Sequence, residues 1–136
     1  PLSLNVPDAE IYIRNGGVGL RPGIDQLPGT NMEYYIADEG LIYQTKDQAI
    51  LVNTLDTPLL YMGELKSHPI LLQANRARPV YSWIMNNTWE TNFKMDLSGF
   101  CELRYSIELM DNGDAEKNLK RLEDNNLGVV TFITCG

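Results

Sequence analysis

Short runs of apolar residues, alternating or continuous, recur along the chain and predict a mostly β fold. In residues 10–14, Ile11 and Ile13 alternate with polar or amphipathic neighbours, as in a half-buried strand. The Asn-Gly-Gly sequence at residues 15–17 then supplies the positive φ angles that a tight turn needs. Further strands are predicted at residues 41–45, 48–53, 59–62 and 80–85, and residues 31–36 form either a short strand or an irregular segment.

The clearest strand pattern covers residues 101–109, where apolar and polar side chains alternate throughout. This pattern predicts that one face of the strand packs on the core, and that the other face, with Glu102 and Glu108, is exposed to solvent. The apolar face carries Cys101, Leu103, Tyr105, Ile107 and Leu109, and the polar face carries Glu102, Arg104, Ser106 and Glu108.

One short helix is predicted after the Asp-Asn-Gly turn at residues 111–113. Asp114 is placed to cap this helix, which runs from residue 115 to about residue 124. So short a helix depends on tertiary packing, so we expect its apolar stripe to dock on the sheet. The stripe consists of Ala115, Leu119 and Leu122.

Together with a final strand at residues 128–135, these elements predict an antiparallel β-sandwich with one short surface helix, forming a single domain over residues 1–136. Glycines and prolines are dense in residues 18–30, which predicts an extended loop there. The glycines of residues 16–19 lack a Walker lysine and a following helix, so no phosphate cradle is expected. A longer connection before residue 80 holds a further candidate strand at residues 70–73.

The net charge of −7 argues against a nucleic acid or an anionic membrane as partner, because both require clustered Lys and Arg. No apolar run approaches the ~20 residues of a membrane span. No signal peptide opens the chain, so a cytoplasmic location is expected. The first residues, Pro-Leu-Ser-Leu, and an end within a strand pattern favour a fragment of a longer, multidomain polypeptide.

The two cysteines, Cys101 and Cys135, lack the C-x-x-C spacing of a metal or redox site. They are interpreted as buried reduced thiols, with a disulfide between neighbouring strands as the alternative. His68 is the single histidine, whereas metal sites and general bases usually use several such groups. No metal site is therefore predicted in this chain.

Residues 86–93, which we call the amide ledge, follow the strand predicted at residues 80–85 and contain three asparagines and Trp89. Amides can hydrogen-bond sugar hydroxyls, and an indole face can cover the apolar side of a pyranose. The structural alternative is that Trp83 and Trp89 pack in a core or an interface and that the asparagines cap turns.

Three segments resemble the C-terminal β-domain of glycoside hydrolase family 38, the α-mannosidases, and they occur in the family's order. The first is Pro22-Gly-Ile-Asp-Gln-Leu-Pro28. The second is Asp56-Thr-Pro-Leu-Leu60 followed by Gly63, and the third is the amide ledge, Asn86-Asn-Thr-Trp-Glu-Thr-Asn-Phe93, followed by Gly99 and Arg104-Tyr-Ser-Ile107.

The resemblance implies a β-sandwich that packs on a catalytic domain of the same parent polypeptide and helps shape its sugar cleft. In this family the zinc ion and the nucleophilic aspartate belong to an N-terminal α/β domain, which no part of this chain resembles. We therefore expect no catalytic residue and no cofactor in this chain, and no hydrolysis by the chain alone. The candidate substrate-binding or domain-interface residues are Asn86, Asn87, Trp89, Thr91, Asn92 and Arg104.

Two other functions fit the same residues. A freestanding carbohydrate-binding module would show Trp83, Trp89 and the tyrosines to solvent in a groove, with mannosides or other glycans as ligands. A purely structural interaction domain would keep the amide ledge inward and hydrogen-bonded. A domain cut from its partner is also expected to expose an apolar patch and to associate with itself.

Overall fold

The computed structural model describes residues 4–63, 79–85 and 98–127, which contain eight strands and one helix. The strands form two antiparallel sheets, so the predicted mostly β fold with a short helix is confirmed. The elements are β1 (Glu10–Asn15), β2 (Val18–Leu20), β3 (Tyr34–Ile36), β4 (Gly40–Gln44), β5 (Ala49–Thr54), β6 (Leu59–Met62), β7 (Val80–Ser82), β8 (Tyr105–Met110) and α1 (Ala115–Leu127).

The larger sheet has five strands in the order β2-β1-β4-β5-β8. Its first hairpin joins β1 and β2, with Asn15 paired to Val18 across a two-residue turn. The turn residues Gly16 and Gly17 have φ angles of +56° and +82°, as the Asn-Gly-Gly sequence predicts. The β4–β5 hairpin pairs Gln44 with Ala49, which joins the strands predicted at residues 41–45 and 48–53. The next strand, β6, pairs instead with β3 and β7 in the smaller sheet.

The smaller sheet has three strands in the order β3-β6-β7 and packs on one face of the larger sheet. Alternate side chains of β1, β4 and β5 meet alternate side chains of the smaller sheet, as in a sandwich. The buried residues of this core are Ala9, Ile13, Tyr35, Ala37, Leu41, Tyr43, Val52, Leu60, Met62 and Val80.

Helix α1 covers the opposite face of the larger sheet. Its buried Leu122 and partly buried Leu119 contact the apolar residues of β4 and β5. The Asp114 side chain accepts a hydrogen bond of 3.1 Å from the Lys117 amide, which confirms the predicted cap. The helix extends to Leu127, three residues beyond the predicted end.

Two buried asparagine side chains, Asn53 and Asn118, join the helix to the sheet. The Asn53 Nδ2 atom donates to the carbonyl oxygens of Leu122 at 2.8 Å and of Glu39 at 2.9 Å. The Asn118 Nδ2 atom donates to the Gln44 Oε1 atom at 2.8 Å, one helical turn earlier. The two hydrogen bonds that join α1 to the sheet, Asn53–Leu122 and Asn118–Gln44, are buried. Because hydrogen bonds are directional, they fix the position of α1 in addition to the apolar packing.

Strand β8 corrects two sequence-based predictions. It starts at Tyr105 rather than at residue 101, and its faces are exposed in the reverse sense. Ile107 and Leu109 are each 64% exposed, whereas Glu108 is partly covered and is bound by Arg121 and Asn125 of α1. The apolar residues do lie on the face shared with Val52 and Ile50, but β8 is the edge strand and α1 covers its other face.

Other predictions are corrected in detail. The strand predicted at residues 80–85 ends at Ser82, and Ile84 and Met85 are exposed. The predicted loop at residues 18–30 begins with strand β2. The Cys101 thiol is exposed rather than buried, because this residue precedes β8 and lies outside the paired strands. Cys135 and the strands predicted at residues 70–73 and 128–135 lie outside the described residues.

Within the described ranges, no helix is long and apolar enough to cross a membrane.

We expect Gly40→Ala to lower the free energy of unfolding by about 2–4 kcal/mol. Gly40 has a φ of +130°, and an added Cβ would lie 2.2 Å from the Val52 carbonyl oxygen. Gly29 is the matched control, because its φ is +87° but nothing lies within 4 Å of its Cβ position. Urea unfolding followed by circular dichroism would measure both losses, and equal losses would contradict the close-approach argument.

Candidate functional site

The structure describes one of the six predicted site residues. Arg104 lies just before β8. The other five, Asn86, Asn87, Trp89, Thr91 and Asn92, lie outside the described residues, so their predicted roles stay predictions. The residues on both sides of the amide ledge are described, however, and they come together in space.

Arg104 binds Asp56, which lies 48 residues away in the β5–β6 connection. The guanidinium donates two hydrogen bonds to the carboxylate, from Nε to Oδ2 at 3.0 Å and from Nη2 to Oδ1 at 2.8 Å. The backbone amide of Arg104 donates a third, to Oδ2 at 2.7 Å. The Arg104 guanidinium and amide hydrogen bonds hold the pKa of Asp56 at about 2, below its usual value.

Three hydroxyl groups form a closed ring beside this ion pair. The Tyr105 hydroxyl lies 2.8 Å from Ser82 Oγ and 2.8 Å from Thr57 Oγ1, and the two smaller hydroxyls are 3.0 Å apart. Each hydroxyl can donate one hydrogen bond and accept one within the ring. Tyr105 belongs to the larger sheet and Ser82 to the smaller one, so the ring bridges the two sheets.

We call the set of Asp56, Thr57, Ser82, Arg104 and Tyr105 the clasp. Its members come from β7, from the start of β8 and from the β5–β6 connection. The chain leaves the clasp at Ser82 and returns to it at Arg104, and the amide ledge lies between these two points. The clasp therefore holds together both ends of the segment that carries the predicted sugar-contacting residues.

Sequence reasoning selected Arg104 but missed the other four members of the clasp. The available signal was that Asp56 and Thr57 begin the second of the segments quoted above, while Arg104 and Tyr105 belong to the last part of the third. A carboxylate and a guanidinium in two such segments are candidates for pairing. The sequence contains no comparable signal for Ser82, because a serine in a predicted strand does not indicate which residue it contacts.

Among the residues that the structure describes, the face of the three-stranded sheet turned away from the larger sheet carries aromatic and aliphatic side chains, and we call it the aromatic face. Ring centroids are 5.0 Å apart for Tyr34 and Tyr61 and 5.5 Å apart for Tyr34 and Trp83. These separations fall in the favourable range for aromatic pairs. The aromatic face consists of Tyr34, Ile36, Leu59, Tyr61, Tyr81 and Trp83, of which Tyr34, Ile36 and Leu59 are about half exposed.

The glycine turn between β1 and β2 binds carboxylates of the chain itself. The Gly16 amide donates to the Asp38 carboxylate at 3.1 Å, and the Gly17 amide donates to Glu39 Oε1 at 3.1 Å. These contacts occupy the donors that a phosphate cradle would use. The Glu39 carboxylate also binds Arg14, whose Nη2 atom lies 2.8 Å from Glu123.

Among the described residues, no group of three or more His, Cys, Asp or Glu side chains could hold a metal ion. His68 lies outside these residues.

Comparisons with protein-family models, with curated proteins and with solved structures gave no significant match. The resemblance to α-mannosidase domains therefore rests on the motif residues quoted above.

We expect the Asp56–Arg104 pair to stabilise the fold at neutral pH and to lose this effect in acid. The folded-state pKa of Asp56, about 2, lies below the ordinary value of 3.8, so the native state favours the ionised carboxylate. The contribution is complete above pH ~4 and is lost as the pH falls towards ~2. Urea unfolding of the wild type and Asp56→Asn at pH 6 and pH 2.5 would test this. A stability difference that does not shrink at the lower pH would contradict it.

We expect Tyr105→Phe to lower the free energy of unfolding by about 0.5–1.5 kcal/mol, because Ser82 and Thr57 would each lose a hydrogen-bond partner in a partly buried site. Tyr34→Phe is the matched control, since it removes a hydroxyl from a half-exposed tyrosine outside the clasp. Chemical unfolding curves would compare the two variants, and an equal effect of both would contradict a special role for the ring.

Proposed function

We propose that this chain is the non-catalytic C-terminal β-domain of an α-mannosidase-like glycoside hydrolase. It packs on the catalytic domain of the same polypeptide and presents the amide ledge to the sugar cleft. The zinc ion and the nucleophile would belong to that catalytic domain. The role of this chain is to bind and position, without breaking a glycosidic bond.

The observation that carries the proposal is the assembly of the family-like segments at the clasp. Asp56 and Thr57 come from one segment, and Arg104 and Tyr105 come from another. Residues that share a family pattern but lie 48 positions apart are in direct hydrogen-bond contact. This contact gives the pattern a physical reason, because it joins the end of the third segment to the start of the second.

The aromatic face supports a domain partner over a freestanding sugar module. Trp83 is half-buried and meets Tyr34 edge-on, at an interplanar angle of 66°. A sugar platform needs an open ring face with polar groups beside it, whereas this face also carries the exposed aliphatic residues Ile36 and Leu59. Tyr61 in the middle of this face is buried, whereas Tyr34, Ile36 and Leu59 are about half exposed. Exposed aromatic and aliphatic side chains that lie together are typical of the core of a protein interface.

Binding of methyl α-mannoside to the isolated chain, followed by NMR chemical shifts, tests the proposal. We expect weak, saturable binding in the millimolar range, because one wall of a cleft offers few contacts. Trp89→Ala should abolish the binding if the amide ledge contacts the sugar. Asp56→Asn should weaken it, because this change loosens the clasp without altering the ledge itself.

Two controls separate the alternatives. Tyr34→Ala alters the aromatic face, and binding that is lost in this variant but kept in Trp89→Ala would favour a sugar module instead. Incubation with p-nitrophenyl α-mannoside should release no nitrophenol, and turnover by the chain alone would contradict a non-catalytic role. The absence of any binding at tens of millimolar sugar would contradict a direct contact between the isolated ledge and the sugar.

A further inference from the structure

Strand β8 forms one edge of the five-stranded sheet and pairs with β5 on its inner side. None of the other described strands pairs with its outer side. An edge strand presents a row of backbone N–H and C=O groups to which another strand can add. The pairing length is six residues, from Tyr105 to Met110, which is twice the length of β2 at the opposite edge.

The features that usually protect an edge strand are missing from β8. Its sequence, Tyr-Ser-Ile-Glu-Leu-Met, contains no proline and no lysine. Ile107 and Leu109 are each 64% exposed on one face. The one charged residue, Glu108, points to the other face, where Arg121 donates a hydrogen bond of 2.9 Å to its carboxylate.

We infer that β8 binds β8 of a second copy of this chain in antiparallel register, joining the two five-stranded sheets into one. A register centred on Glu108 places Ile107 of each copy opposite Leu109 of the other. These residues share the face of Ile50 and Val52, so the apolar stripe would continue across the junction. In this register the exposed apolar residues of both copies lie on one face, so a second copy supplies a strand with a matching apolar stripe.

Charge determines how strong this association is. Each copy carries a net charge of −7, and the two Glu108 residues would lie opposite each other in the proposed register. Each Glu108 is paired with its own Arg121, which reduces the local repulsion. The contact is also small compared with a standard interface of about 800 Å² per partner. We therefore expect a weak dimer that becomes tighter as salt screens the repulsion. This inference does not depend on the proposed sugar role.

Sedimentation velocity of the 136-residue chain over a concentration series, at low and high salt, tests the inference. We expect a concentration-dependent dimer that Ile107→Lys and Leu109→Lys each weaken by at least about tenfold. Val18→Lys is the matched control, because Val18 is 67% exposed and lies on the opposite edge strand of the same sheet. All three changes lower the net negative charge equally, so a loss confined to the β8 variants cannot arise from net charge.

Hydrogen exchange locates the contact. The β8 amides should exchange more slowly at high than at low protein concentration in the wild type, and this difference should vanish in Leu109→Lys. Circular dichroism would confirm that each variant folds, as expected for substitutions at exposed positions. A strict monomer at all concentrations, a dimer unaffected by both β8 variants, or a dimer without protection of β8 would each overturn the inference.

Discussion

The centre of the five-stranded sheet is buried on both faces, and the rest of the structure depends on this constraint. Every residue of β4 is buried, because the three-stranded sheet packs on one face and α1 packs on the other. Polar groups in such a strand need partners within the protein. The Gln44 Oε1 atom accepts a hydrogen bond from Asn118 of α1, and the Asn53 Nδ2 atom on the adjacent strand β5 donates to the Leu122 carbonyl oxygen, so these bonds also fix the helix. The Oδ1 atoms of Asn53 and Asn118 are buried without a hydrogen-bond partner in the part of the chain that the structure describes.

The two sheets differ in width, with five strands and three. This difference explains why β8 contacts the smaller sheet at its first residue but exposes apolar side chains further along. Apolar residues of β1, β4 and β5 form the core with the three-stranded sheet, whereas β8 lies at the outer edge. Its first residue, Tyr105, reaches across to the smaller sheet and donates a hydrogen bond to the Ser82 hydroxyl. Further along, Ile107 and Leu109 lie on the same face without such cover, and they are exposed. Strand β8 therefore contributes Tyr105 to the clasp and also forms the open edge of the sheet.

The sequence predicted the strands well because their signal is local. Alternation gave the existence of β1, β4, β5, β6 and β8 and the correct common face of Ile107 and Leu109. It could not give their exposure, since that depends on how far the smaller sheet extends. The same limit applies to Cys101, whose apolar character favoured burial although it precedes the paired strand. The Asp56–Arg104 contact joins residues 48 positions apart, and neither residue's neighbours reveal its partner.

The clasp fixes the two points of the chain between which the amide ledge lies. A segment of about twenty residues that is free at its ends samples many arrangements, and closing it by its ends costs an entropy that grows only slowly with length. The clasp closes it with three hydrogen bonds from Arg104 to Asp56 and with the hydroxyl ring. Ser82 belongs to β7, which pairs with β6, and Arg104 directly precedes β8, which pairs with β5, so each attachment point adjoins a strand paired in one of the two sheets. If the proposed sugar role holds, attachment at both ends lowers the entropy that the ledge residues lose on binding.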